Sequence, residues 1–212
     1  IEHIYGHHKE VALLKDGASA RRGEGIFSFM FRSTFNEYKN AFQIEKTRLQ
    51  RKGKLIFSFE NKFFIALFRS VIICLIIYNL GSATALICYL ISALISKILL
   101  ETINYIEHYG LVRVEGRPVR PRHSWNSNTF VSSAFTFNLT RHSAHHEKAH
   151  IPYWKLSPYT DAPRMPYGYL STFFFALLFP WFYRKMMAKK LLDWDKNYAS
   201  ESEKELISNL SL

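Results

Sequence analysis

Apolar and polar positions divide this 212-residue chain into blocks of contrasting character. Residues 1–62 are mainly polar and charged. Helix-like stretches flank the small-residue loop "KDGASARRGEG", and the block closes on the basic run "KTRLQRKGK". The pattern then turns continuously apolar in "FFIALFRSVIICLIIYNL", Phe63 to Leu80, with Arg69 as its only charge. As a helix this run reaches about 27 Å, close to the hydrocarbon thickness of a bilayer. Arg69 lies near enough to its start to snorkel to the interface. Gly81 and Ser82 read as a short turn. A second run, "ATALICYLISALISKILLETINYIEH", then extends from Ala83 to His108. At about 39 Å it is longer than a bilayer needs, so its last two turns are expected to project into water or protein.

The two runs predict a helical hairpin over residues 63–108, with both ends on one side of a membrane. "KTRLQRKGK" precedes it and "RVEGRPVRPRH" follows it, and basic flanks mark the cytoplasmic side. Residues 109–168 return to a soluble composition. "YLSTFFFALLFPWFY", Tyr169 to Tyr183, is apolar but short and contains Pro180. Residues 169–190 therefore predict an interfacial or re-entrant segment, with "RKMMAKK" at the lipid headgroups. Residues 191–212 form a tail that turns Ser- and Glu-rich from Asn197 and is expected to fray. The predicted fold is all-α and integral to a membrane: a transmembrane helical hairpin plus a cytoplasmic, histidine-rich helical part, together one domain.

Composition sharpens this picture. Aromatic residues make up 16 % of the chain, with 18 Phe and 12 Tyr, which favours membrane association or lipid handling. Net charge is +11. No nucleic-acid module accompanies that charge, and a basic cytoplasmic face explains it better. Cys74 and Cys88 both lie inside apolar runs without metal-ligand spacing, which argues against thiolate sites and a disulfide scaffold.

The candidate chemistry is carried by histidine. In "EHIYGHH", His3 and His7 stand four apart, a spacing that predicts one shared metal, with His8 placed to reach a second. In "ETINYIEHYGL", Glu101, Asn104, Tyr105 and His108 form one polar stripe at the projecting end of the long helix. In "NLTRHSAHHEKAH", His142, His145 and His146 fall on one helical face and predict three rings converging on a point. His123 and His150 stand outside these boxes and are read as residues meeting local needs. Many imidazoles without thiolates suit iron, zinc or copper. Seven donors exceed the three or so of a zinc hydrolase and fit two ions better.

"EHIYGHH", "NYIEHYGL" and "RHSAHH" resemble the histidine motifs of the membrane-bound, non-haem diiron alkane monooxygenases, within the fatty acid desaturase superfamily. "NYIEHYGL" sets this group and its xylene monooxygenase relatives apart. "ASARRGE", "HSWNSN" and "DAPRMPYGY" extend the likeness over roughly residues 2 to 190, in the family's order. The resemblance implies a multi-pass protein of the bacterial inner membrane with a cytoplasmic diiron site. It implies hydroxylation of the terminal methyl of an n-alkane by O2, with electrons from rubredoxin and an NADH-dependent rubredoxin reductase. Carried over by motif position, the iron ligands are His3, His7, His8, His108, His142, His145 and His146, with Glu107 and Asn104 behind them at best.

Two departures stand out. The family's earliest box, a His-Glu-x-x-x-His, is missing from this sequence, so two ligands and about four helices are expected to lie outside it. Ala144 stands where the family commonly has an acidic residue. A fatty-acyl desaturase or hydroxylase on the same scaffold is the nearest alternative, and "NYIEHYGL" argues against it. A membrane metal-binding or transport protein is a third reading. It should place ligands inside the apolar spans, and Phe63 to Leu80 has none.

Overall fold

The computed structural model describes residues 1–210. Among them the chain is helical, and its one β-feature is an isolated bridge between Asn126 and Arg164. A π-helical turn, His3–His7, runs into a single α turn, His8–Glu10; together they are α1. The other helices are α2 (Ile26–Arg51), α3 (Lys62–His108), α4 (Phe130–Phe135), α5 (His142–Glu147), α6 (Tyr169–Leu178), α7 (Pro180–Asn197) and α8 (Glu201–Leu210).

Helix α2 turns Ile26, Phe29, Ser33 and Leu49 inward. It stops in a Schellman arrangement, in which the Gly53 amide bonds to the Gln50 carbonyl and the Lys54 amide to that of Leu49. Gly53 takes the left-handed φ of +64° that this ending requires. Asn61 then caps α3, its Oδ1 accepting from the amides of Phe63 and Phe64. Most of α3 is exposed and apolar, and it is long and apolar enough to cross a membrane. Its helical path is broken at Ser82, with φ 85° and ψ 174°, where the sequence predicts a turn.

The last turns of α3 enter the protein, as their polar stripe requires: Glu101, Asn104, Tyr105 and His108 are all buried. Tyr105, Tyr109 and Tyr183 stack at 5.0–5.3 Å in the core, joined by Phe29, Trp125, Met187, Leu191 and Trp194. Gly110 ends α3 at φ +70° and lies so close to α7 that an added Cβ would stand 2.8 Å from both Leu191 methyls. The apolar segment from Tyr169 splits at Phe179 and Pro180 into α6 and α7. Proline suits the first position of α7, where no intrahelical amide bond is lost. The end of the chain departs from expectation. From Glu201 to Leu210 it is an ordered helix rather than a frayed tail, because Glu203 is buried against Arg122 and His123.

Candidate metal centre

Four imidazoles meet in the interior: His7, His108, His142 and His146, all buried. Beside them His3, His8 and His145 form a second, more open group. Within each group the nitrogen each ring offers lies within 4.8 Å of the others. The groups adjoin, with the His8 ring centroid 4.8 Å from His145 and 4.7 Å from His146.

The two groups hold the same seven rings that the sequence singles out, but divide them differently. His3 and His7 do not share a group; His3 goes with His8. The cause is the π-helical turn, in which the His8 amide bonds back to the His3 carbonyl, five residues earlier. One turn of π-helix brings i and i+5 together, so His3 joins His8 in one group, while His7, whose ring still stacks on His3 at 5.4 Å, offers its nitrogen to the other. The face of α5 also splits. His142 and His146, one α turn apart, point into the buried group, while His145 turns to the open one. His123 is buried but lies outside both groups, and His150 is exposed.

Each ring is aimed by its surroundings. His7 Nδ1 donates to Asp16 Oδ2 at 2.9 Å, which leaves Nε2 facing the cluster with no partner among the described residues. His108 Nδ1 donates to the His123 carbonyl at 3.1 Å, again freeing Nε2. These bonds choose the tautomer that presents a lone pair. His142 Nε2 stands 3.1 Å from His108 Nε2, 2.8 Å from His146 Nε2 and 3.1 Å from Glu107 Oε2. One N–H cannot satisfy so many neighbours at once. Nitrogens held about 2.1 Å from a common ion, as imidazole nitrogens are around zinc, stand about 3 Å apart when at right angles. The residues therefore fit a metal ion.

Charge agrees with this. Burial, then the neighbouring rings, push His142 and His146 well below the usual histidine range, and burial lowers His145. Burial and neighbouring rings also bring His3 and His8 down to about 4. These rings are neutral at pH 7 and have lone pairs to give. His7 differs: burial alone would lower it, but the Asp16 carboxylate overrides that and raises it. Asp16 is held down to about 2 against burial by His7 and Ser19.

The flanking motifs hold α5. Asn126 Oδ1 accepts from the Ser143 amide at 2.9 Å, and Ser143 Oγ donates to the Pro121 carbonyl at 2.6 Å. The Asn126 backbone pairs with Pro163 and Met165, which ties "HSWNSN" to "DAPRMPYGY" beneath the box. Glu107 accepts from Tyr169 Oη at 2.8 Å and, through its other oxygen, reaches the buried histidines directly, closer than the sequence predicts. Asp16 was not foreseen. A single acidic residue inside "KDGASA" was its only signal. An open groove of about 540 Å3, lined by Phe137, Leu139, Ile151, Tyr153 and Leu156, reaches His145.

The family model described as fatty acid desaturase matches residues 1–188. The chain is 37% identical over 199 residues to an alkane 1-monooxygenase of Ectopseudomonas oleovorans, covering 92% of this chain and 49% of that protein. It is 41% identical over 205 residues to an alkane 1-monooxygenase of Acinetobacter baylyi, covering 91% and 48% respectively. The xylene/toluene monooxygenase hydroxylase component of Pseudomonas putida is 30% identical over 206 residues, covering 97% and 56%. The chain thus spans about half the length of the curated relatives it matches.

Proposed function

The chain belongs to the fatty acid desaturase family, and from that premise we propose that it forms much of the active site of a membrane oxygenase that hydroxylates the terminal methyl of n-alkanes with O2. The observation that carries this reading is the gathering of seven histidines into adjoining groups of four and three. Two adjoining imidazole-rich sites suit a pair of irons. No side chain breaks an unactivated C–H bond, and the iron pair supplies that chemistry when bound.

The protein's own residues hold and orient. His7, His108, His142 and His146 would bind one ion and His3, His8 and His145 the other. Asp16 and the His123 carbonyl fix the rings of His7 and His108 by their Nδ1 protons. Tyr169 holds the Glu107 carboxylate beside His142. The apolar groove at His145 offers a hydrocarbon chain a water-poor approach to the more open group.

The long apolar helix is proposed to be a transmembrane hairpin folded at Ser82. Support comes from α2, which holds both of its ends. Glu45 accepts from the Lys62 amide at 2.8 Å and Glu37 from Lys97 Nζ at 2.6 Å. Glu37 and Glu45 are about 12 Å apart along α2, whereas a straight helix would separate residues 62 and 97 by about 52 Å. Residues 1–62 and 109–168 would then sit on the cytoplasmic face of the inner membrane, with 169–190 at its surface and 191–210 packed beneath. Electrons would come from rubredoxin and its NADH-dependent reductase, and the +11 charge would attract an acidic carrier.

The test is to express the full-length protein with rubredoxin and its reductase, supply n-octane, and assay 1-octanol. Terminal alcohol with iron in the membranes is the expected result. An unsaturated fatty acid instead would favour a desaturase. Stoichiometric zinc without iron would defeat the oxygenase reading.

A further inference from the structure

The most deeply buried acid of the chain's end is Glu203, on α8 and only 1% exposed. Burying a carboxylate costs free energy unless it is met by donors, and Glu203 accepts four hydrogen bonds from three residues. Its Oε1 accepts from His123 Nε2 at 2.8 Å and from an Arg122 nitrogen at 3.2 Å. Its Oε2 accepts from Arg122 Nε at 2.9 Å and from the Ser200 amide at 2.8 Å. His123 is fixed from its other side too, because Nδ1 accepts from the Arg120 amide at 3.0 Å. Trp194 adds a bond to the Arg122 carbonyl at 2.7 Å. The turn Pro121–His123 is therefore held rigidly by the C-terminal helices.

That turn also faces the metal-binding residues. The His123 carbonyl accepts from His108 Nδ1, and the Pro121 carbonyl accepts from Ser143, the neighbour of His142. Two rings of the four-histidine group are thus referenced to one short turn, and Glu203 locks the turn's side chains from outside.

We propose that Glu203 is a positioning residue for the four-histidine centre, acting through the 121–123 turn on His108 and His142. The inference rests on the reading of that group as a metal site. The C-terminal helix becomes the outermost layer of the centre, its carboxylate bonding the side chain of the residue whose carbonyl holds a ligand ring. Loss of a ligand's direct partner typically costs about 10–100-fold in metal affinity, and Glu203 stands one residue further out, so its effect is set at about tenfold or less.

The experiment uses the full-length protein loaded with Co2+ as probe, read by metal retained against a competing chelator and by the visible spectrum of the bound ion. Glu203→Ala should weaken the metal held by the four-histidine group by up to about tenfold and alter its spectrum. Glu203→Gln keeps an oxygen for His123 Nε2–H and should restore most of both. Asp195→Ala is the control. It breaks the bidentate pair with Arg22 that also ties the chain's end down, but it does not touch the turn. It should lower the melting temperature and leave affinity and spectrum unchanged. An unchanged affinity and spectrum in Glu203→Ala would overturn the proposal. So would equal changes in Asp195→Ala. If Glu203→Ala does not fold, Glu203→Gln decides: a loss as large as that of His142→Ala counts against the hydrogen-bond route. Failure of the underlying reading looks different, since His142→Ala would then leave metal content at the wild-type value.

Discussion

Replacing Asp16 by Ala should weaken the buried centre's hold on metal as well as destabilise the fold. Asp16 is 1% exposed and accepts three bonds: from His7 Nδ1 at 2.9 Å, Ser19 Oγ at 2.6 Å and the Ala18 amide at 3.1 Å. Truncation strands up to three buried donors. Each stranded donor costs about 1–3 kcal/mol, reduced where Ser19 can rotate to another acceptor. The effect on metal is separate. Without the carboxylate, His7 loses the bond that fixes its tautomer and the negative charge that makes Nε2 a stronger donor, a change expected to weaken binding by about 10–100-fold. That corresponds to about 1.4–2.8 kcal/mol. Asp16→Asn separates the two contributions, because its amide oxygen can still accept from His7 while the charge is gone; its loss should lie nearer tenfold. The assay is iron per chain in the purified full-length protein as chelator is raised, with a thermal melt alongside. Only the buried site should weaken, so the titration should become biphasic. Wild-type retention in Asp16→Ala, or equal loss from both sites, would refute the assignment of Asp16 to His7 and the four-histidine ion.

The division of the seven histidines predicts a pattern of non-additivity. His7→Ala combined with His142→Ala should lower iron content little more than either alone, since both strip one ion, whereas His142→Ala with His145→Ala should add. Additivity in the first pair would defeat the four-plus-three grouping. Glu203 predicts an acid-sensitive contribution to stability. Burial would raise its carboxyl, but His123, Ser200 and Arg122 hold it down to about 2 from an ordinary 4.5. A depressed folded value means stability is fully present above about pH 4.5 and is lost as pH falls toward 2, an upper bound of about 3 kcal/mol. The difference in melting temperature between wild type and Glu203→Gln should therefore shrink on acidification through that window, and a constant difference would contradict it. Gly110→Ala meets both the left-handed φ of +70° and Leu191 at 2.8 Å. It should destabilise by about 2 kcal/mol or more, with partial recovery in a Leu191→Ala background. A wild-type melt would show that the turn is not needed.

What the sequence made legible, and what it hid, follows from the range of the interactions involved. Apolar runs announce long helices because every residue contributes to the signal, and Gly81-Ser82 announces the break at Ser82 because a local φ of 85° is a local property. Histidine boxes are equally local, so all seven rings found in the two groups could be named from short motifs and the family resemblance they carry. Their partition was not legible, because it depends on whether one turn closes at four residues or five. "EHIYGHH" carries no residue that selects a π-turn over an α-turn. A difference of one residue in the His8 amide's partner puts the His3 donor nitrogen in the group of His8 rather than that of His7. The supporting carboxylates were hidden for a different reason. Asp16 lies 9 residues from His7 in a loop, and Glu203 lies 80 residues from His123, so neither shares a helical period with the ring it serves. A Ser- and Glu-rich tail is ordinarily solvated. Here Glu203 finds Arg122 and His123 already in place, and those donors turn a segment that would fray alone into a helix that closes the back of the centre.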